Sequence, residues 1–120
     1  ALIFYWGIKK EFPTLDLHNI FFSDNYKQEF DYIFTKQEVY KDPTVYVNIS
    51  SKENKSDAPK GCENWFVMVN VPSNTGQDWN TIIKNVRAGV IKKISDSLNI
   101  DLEDLIEFET ILDPRLIVNW

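Results

Sequence analysis

The side chains of this chain that could act as nucleophiles or bases are few, and their surroundings point away from catalysis. His18 is the only histidine and Cys62 the only cysteine among the 120 residues. A reactive thiol needs an electropositive environment, whereas Cys62 lies in a predicted turn beside Gly61 and the acidic Glu63. A lone histidine is more often structural or exposed than a ligand or base. We therefore predict no catalytic residue from either side chain.

The acidic residues offer two further candidates. Glu107 and Glu109 stand two apart on a predicted strand and could form a carboxylate pair for acid–base chemistry. Without a deep pocket, we expect them to lie on a solvated face. Asp101, Glu103 and Asp104 form a small cluster, which suits the N-terminus of a helix, where acidic side chains are favoured. The sequence therefore predicts no metal site.

The composition limits the cofactors, partners and compartment. Glycine occurs only at positions 7, 61, 76 and 89, a spacing that cannot form the glycine-rich loop of a dinucleotide or phosphate site. The formal charge of −5 and the pI near 4.8 argue against nucleic-acid binding, which normally uses a basic surface. A single cysteine excludes an internal disulfide and favours the reducing cytoplasm. No apolar stretch approaches the roughly 18 residues of a membrane-spanning helix.

Interleaved strands and helices must position these residues. The apolar patterning predicts strands at 1–8, 17–22, 44–50, 65–71 and 107–112. A helix ending near residue 36 is predicted by apolar residues that have the spacing of one helical face: Tyr26, Phe30, Ile33 and Phe34. A capping box at 75–78 should open a long amphipathic helix that ends at Leu98. A short helical turn should follow at 101–106. This order favours an α+β domain.

Two of the predicted strands hold candidate binding residues. In the strand at 44–50, Tyr46 and Asn48 lie on the face opposite a run of β-branched residues. That face either meets solvent or lines a ligand cavity. The strand at 65–71 is apolar on both faces, so it should lie centrally in its sheet. Phe66 and Met68 share one of its sides.

Five stretches of the sequence together point to a family. DAPKGCENWFVMVNVP at 57–72 contains an Ala-Pro-x-Gly-Cys-Glu run followed by a strand that ends in Val-Pro, and it is the most specific of the five. DPTVYVNIS at 42–50 is an Asp-Pro turn followed by an alternating strand. ALIFYWGIKK, LDLHNIFF and ILDP lie at 1–10, 15–22 and 111–114. These stretches resemble the phytoene desaturase family of FAD-dependent carotenoid desaturases over nearly the whole chain.

The resemblance implies an α+β fold with a mixed β-sheet and helices packed mainly on one face. This would be the substrate-domain portion of a flavin amine-oxidase-like fold, with residues 1–120 as one partial domain of a larger flavoenzyme. In this architecture the sheet covers the flavin and turns one face towards the substrate cavity. We therefore expect Tyr46, Asn48, Phe66 and Met68 to contact an acyclic carotenoid substrate, and we transfer no catalytic residue.

The resemblance also sets expectations for the chain on its own. FAD would belong to the parent protein, because the family's glycine-rich segment and its second flavin-contacting segment are not found here. The isolated chain should be inactive and should self-associate through apolar surface and strand edges. The parent should be peripheral to the membrane, because carotenoids dissolve in lipid. The alternative is a free-standing, non-enzymatic module that binds an apolar ligand or a protein partner.

Overall fold

Five strands form one sheet in the computed structural model, which describes residues 1–116. The strands are β1 (Leu2–Ile8), β2 (His18–Phe21), β3 (Val45–Asn48), β4 (Glu63–Val69) and β5 (Ile106–Leu112). The helices are α1 (Tyr26–Phe34), α2 (Trp79–Leu98) and α3 (Leu102–Leu105). Two short 3₁₀ turns, Ser50–Lys52 and Lys55–Asp57, lie between β3 and β4. The predicted strands are confirmed, and the strand order β2-β3-β4-β1-β5 places β4 centrally, as predicted.

The strand directions confirm the α+β class and correct one detail of the expected sheet. All four pairings described in residues 1–116 are antiparallel, whereas a mixed sheet was expected. Because β1 is antiparallel to both β4 and β5, those two strands run in the same direction. Along the chain, α2 connects β4 to β5, as a helix does in a parallel crossover. In the sheet, however, β1 lies between these two strands. The crossover therefore creates no parallel pair.

One face of the sheet packs against α2. Trp6 of β1 and Trp65 of β4 are cross-strand neighbours, and both are buried. Val86, Val90 and Ile94 follow one another at four-residue spacing on α2 and join the same core. Residues four apart on a helix lie on one face, so α2 presents a continuous apolar stripe to the tryptophans. The expected packing of helices on one face is confirmed for α2 and for α3, whose Leu102 belongs to this core.

Helix α1 forms as predicted, but only one residue of its predicted apolar face is buried. Of the four residues assigned to that face, Ile33 is buried, whereas Tyr26, Phe30 and Phe34 are exposed by 59%, 54% and 63%. The N-cap is Asn25, whose side chain accepts the backbone N–H of Gln28. Helical spacing thus identified the helix but not the side that packs against the domain.

A buried carboxylate explains why the aromatic side of α1 faces outwards. Glu29 is 2% exposed. It accepts the backbone N–H of Thr44 at 2.7 Å and the Thr44 hydroxyl at 2.8 Å. These bonds tie α1 to the residue just before β3. Because Glu29 and Ile33 are one turn apart, they face inwards together, and the aromatic stripe lies to one side of them.

The start of α2 also differs from its prediction. Asp78 caps the helix by accepting the backbone N–H of Thr81 at 3.3 Å and its hydroxyl at 2.7 Å. Thr75 donates its backbone N–H to the Gln77 side chain, so it does not form the predicted capping box. The hydrogen bonds from Thr81 lower the pKa of Asp78, which is consistent with a carboxylate at the positive end of a helix.

Candidate functional site

The sheet face opposite α2 is the candidate site, and we call it the open face. Strand alternation places one set of side chains on it from all five strands. Most of these side chains are apolar, and several are only half-buried, so this face is far less covered than the α2 face. The set consists of Ile3, Tyr5, Gly7, His18, Ile20, Tyr46, Asn48, Asn64, Phe66, Met68, Phe108, Thr110 and Leu112.

The structure brings the four predicted binding residues together on the open face. Tyr46 pairs across the strands with Met68, and Asn48 pairs with Phe66. All four side chains are half-buried. Together with Ile20 they line a shallow groove of about 400 Å³. The prediction that they contact a carotenoid remains a prediction, because their position shows only that they form one surface.

Two aromatic residues of the open face were missed by the sequence analysis. Tyr5 meets Phe66 edge to face, with 5.1 Å between the ring centroids. Phe108 is 60% exposed, and its ring lies so close to Gly7 that a Cβ there would be 2.8 Å from the Phe108 Cδ1 atom. Tyr5 and Phe108 line a second depression, of about 640 Å³, which shares Asn48 and Phe66 with the first. The two depressions therefore form one surface across β1 to β5.

The polar side chains of the open face differ in how they are satisfied. Asn64 donates to the Ser50 hydroxyl at 2.7 Å and accepts the backbone N–H of Ser51 at 3.0 Å. The Asn48 amide nitrogen lies 3.1 Å from His18 Nδ1. Asn64 thus fastens the turn after β3, whereas Asn48 and His18 form a separate pair at the β2 side of the sheet.

The structure corrects the expectation that Glu109 faces solvent. Glu109 accepts the Trp6 indole N–H at 2.6 Å and the Arg87 Nε–H at 2.7 Å on the α2 face. Arg87 also makes two 2.8 Å hydrogen bonds to Glu103, and these bonds, with the one to Glu109, raise the pKa of Arg87. Glu107 is exposed, as expected, and falls where the pairing of β5 with β1 is irregular. Glu109 therefore links β5 to α2 and does not pair with Glu107.

Glu63, the last residue of the Ala-Pro-x-Gly-Cys-Glu run, is buried at the start of β4. It forms an ion pair with Lys52 at 2.6 Å and accepts the backbone N–H of Phe12 at 2.8 Å and the Trp65 indole N–H at 2.9 Å. Lys52 also donates to the Phe12 carbonyl. Cys62 is half-buried and not in a disulfide. The run thus ends in a polar anchor that fixes two loops to the central strand.

Two other features, a metal-binding cluster and a membrane-spanning helix, are not found among the described residues. Across residues 1–116, no group of three or more histidine, cysteine, aspartate or glutamate side chains is placed to hold a metal ion. In the same part of the chain, every helix is too short or too polar to cross a bilayer.

Comparison with known proteins gives relatives but no match to a protein-family model. The chain is 57% identical over 115 residues to a 1-hydroxycarotenoid 3,4-desaturase of Flavobacterium sp. (strain P99-3), which covers 96% of the chain and 24% of that protein. It is 32% identical to a phytoene desaturase of Phycomyces blakesleeanus over 97% of the chain and 21% of that protein. A zeta-carotene-forming phytoene desaturase of Myxococcus xanthus is 36% identical over 88% of the chain and 20% of its own length. The chain therefore spans about a quarter or less of these relatives.

Proposed function

Because the chain belongs to the carotenoid desaturase family, we propose that it forms the substrate-binding wall of an enzyme that dehydrogenates an acyclic carotenoid. Residues 1–120 would be a partial substrate-binding domain of a flavin amine-oxidase-like protein, inactive without the remainder. The observation that carries this proposal is the open face, where Tyr46, Asn48, Phe66 and Met68 adjoin one another between β3 and β4.

The open face suits a long hydrocarbon. Its five strands extend roughly 19 Å across the sheet, at about 4.8 Å between neighbouring strands. Ile20, Tyr46 and Met68 lie in one cross-strand row, while Phe66 and Tyr5 lie in the next. Covering such side chains with a polyene gains about 25 cal/mol per Å² of apolar surface buried. A linear apolar molecule lying across the strands would use this surface fully.

The described residues do not fit the pyrophosphate of FAD. A helix N-terminus can bind phosphate through its free backbone N–H groups. In residues 1–116, however, α1 and α2 begin with side-chain caps from Asn25 and Asp78, and α3 has only four residues. The Asp78 carboxylate would also repel an anion. We therefore derive no step through FAD here, and we propose that other parts of the protein bind it.

The relatives also guide the choice of substrate and location. The relative at 57% identity is named for a 1-hydroxycarotenoid, so a hydroxylated acyclic carotenoid is one substrate to test beside phytoene. Since carotenoids dissolve in lipid, we propose that the whole protein works on the cytoplasmic surface of a membrane without spanning it.

An NMR titration tests the proposed wall. The ¹⁵N-labelled chain, in detergent micelles, is titrated with farnesene, an acyclic isoprenoid hydrocarbon. We expect the largest chemical-shift changes on the open face. If the ligand covers about 50 Å² of the Phe108 ring, Phe108→Ser should weaken binding about tenfold. Phe34→Ser is the matched control, because Phe34 is equally exposed but lies on α1. Shift changes centred on α1, or equal effects of both variants, would refute the proposal.

The same variants test self-association. Because the open face is apolar and half-exposed, we propose that copies of the chain associate through it at high concentration. Phe108→Ser should shift the light-scattering mass towards the monomer, and Phe34→Ser should not. A wild-type chain that stays monomeric at millimolar concentration would contradict this part of the proposal.

A further inference from the structure

We propose that the outward aromatic side of α1, together with Phe22, is the surface that docks on a bilayer of zwitterionic lipid. This inference rests on the proposed function and deepens it, because it assumes that the protein takes a lipid-dissolved isoprenoid from a membrane. Four exposed side chains form the surface, which we call the aromatic ridge: Phe22, Tyr26, Phe30 and Phe34. Their exposed fractions run from 54% to 75%. A concentration of exposed apolar side chains at one end of a domain marks an interaction site.

The ridge has the shape of a straight edge. Tyr26, Phe30 and Phe34 follow one another at four-residue spacing, so they lie along one side of α1 over about 12 Å of its axis. The rings of Phe30 and Phe34 are packed together, with 4.4 Å between their centroids. Phe22 precedes Tyr26 by four residues, which span at most about 14 Å. Helix α1 can therefore lie parallel to a membrane surface with its aromatic edge in the lipid.

Polar contacts on the inner side of α1 hold the ridge outwards. Glu29 is buried and accepts both the backbone N–H and the hydroxyl of Thr44. Lys93 of α2 donates to the Phe22 carbonyl at 2.9 Å. Turning the aromatic rings towards the domain would break the hydrogen bonds of a buried carboxylate, which is costly. The exposure of the ridge is therefore built into the fold, and the rings remain available to an outside partner.

The size of the ridge suits a bilayer better than a protein partner. The exposed parts of the four residues amount to about 500 Å², whereas a stable protein–protein interface needs about 800 Å² on each partner. A membrane requires less contact. If about 50 Å² of each ring enters the lipid, the partition constant is on the order of 10³–10⁴ M⁻¹, which approaches the value for a single myristoyl chain.

The charges near the ridge fit neutral lipid. Lys27 and Asp31 are the exposed charged residues of α1, and their charges cancel. The whole chain carries a formal charge of −5, which opposes an anionic surface. Helices that lie on membranes use phenylalanine on their apolar side, and tyrosine is favoured at the level of the lipid headgroups. We therefore expect binding that is driven by apolar burial, changes little with salt and is no stronger on anionic vesicles.

The ridge also adjoins the groove of the open face. Phe21 packs against the core, so its neighbours Ile20 and Phe22 point to the other side of β2. Ile20 lines the groove together with Tyr46 and Met68. An isoprenoid that leaves the bilayer at Phe22 would therefore reach the open face at Ile20.

Vesicle flotation tests the docking surface. With phosphatidylcholine vesicles, half of the wild-type chain should be bound at roughly 0.1–1 mM lipid. Phe34→Ser should weaken this binding about tenfold. Phe108→Ser is the matched control, because Phe108 is equally exposed but lies on the open face, and it should leave vesicle binding unchanged. In nanodiscs that contain spin-labelled phosphatidylcholine, the amide signals of α1 should broaden most.

The same two variants have opposite expected effects on vesicle binding and on farnesene binding, so the two proposals can fail separately. If farnesene binds the open face but Phe34→Ser floats like the wild type, the docking surface is refuted and the proposed wall stands; another part of the protein then covers the ridge. If vesicles bind through the ridge but farnesene does not bind, the wall fails and the docking surface stands.

Three further results would overturn the docking surface. The first is a wild-type chain that stays unbound at about 10 mM lipid. The second is equal weakening by Phe34→Ser and Phe108→Ser, which would mean that the lipid meets the open face. The third is a lower light-scattering mass for Phe34→Ser, which would make the ridge an interface between copies of the chain.

Discussion

The substitution Glu63→Gln should destabilise the whole domain, because Glu63 joins two loops to the central strand. Its carboxylate is 3% exposed and receives three donors: Lys52 Nζ, the Phe12 backbone N–H and the Trp65 indole N–H. Glutamine has the same shape, but it has only one acceptor oxygen and adds an NH₂ group. That NH₂ group must face at least one of the three donors.

The size of the effect follows from these contacts. A buried donor left without a partner costs about 1–3 kcal/mol. The bonds that remain lose their charge assistance, which roughly halves their strength. Lys52 can turn towards solvent, since 21% of its side chain is exposed, so its unpaired charge adds little. We expect the free energy of unfolding to fall by about 2–4 kcal/mol, out of a typical total of about 5–15 kcal/mol.

Urea denaturation followed by tryptophan fluorescence measures this change at a low protein concentration, where association is minimal. Glu103→Gln is the matched control, because it removes a carboxylate from the exposed ion pair with Arg87. Exposed pairs contribute about 0–1 kcal/mol. If Glu63→Gln costs no more than Glu103→Gln, then Glu63 does not anchor β4 and the argument from its buried contacts is wrong.

Two further predictions concern the open face and the pH dependence of stability. Gly7→Ala should turn the Phe108 ring away from β1, because the new Cβ would lie 2.8 Å from the Phe108 Cδ1 atom. We expect weaker farnesene binding in the NMR titration. Urea denaturation should show a stability change within about 1 kcal/mol. A hydrogen bond to Asp24 is the main cause that raises the pKa of Tyr40 to about 12. The contribution of Tyr40 to the free energy of unfolding is therefore complete below pH about 10, where unfolded tyrosine ionises. It is lost as the pH rises to about 12. Urea denaturation should therefore show a steeper loss of stability over that range in the wild type than in Tyr40→Phe, and parallel curves would contradict this.

The sequence could predict that Tyr46 and Asn48, like Phe66 and Met68, share one side of their strand, because this depends on strand parity alone. In β3, Val45 and Val47 mark the buried side, so Tyr46 and Asn48 must lie on the other. The same alternation holds in β4. The partners of these residues could not be predicted in this way, because Tyr5 and His18 reach the site through long-range strand pairing. That register is a property of the folded sheet and leaves no local signal.

Helix α1 and Glu109 show where pattern analysis reaches its limit. Periodicity placed Phe30 and Ile33 on one apolar arc, but only the part of that arc beside Glu29 meets the domain. Glu29 is charged and was not counted as a core residue, yet its bonds to Thr44 decide how the helix is oriented. Glu109 is similar, since Trp6 and Arg87 hold it from elements far away in the chain. Polar side chains that orient elements are not detectable from hydrophobic spacing.

The polar pair on the open face bears on what completes that face. If another protein surface covered it, the second ring nitrogen of His18 and Asn48 Oδ1 would be buried and would each need a partner supplied from outside. A pure hydrocarbon would bury the same atoms with no partner at all, which costs about 1–3 kcal/mol for each group. On this reasoning, a long hydrocarbon without a hydroxyl should lie farther towards β1 and β5, where Tyr5 and Phe108 provide aromatic surface, and should leave the pair in contact with water.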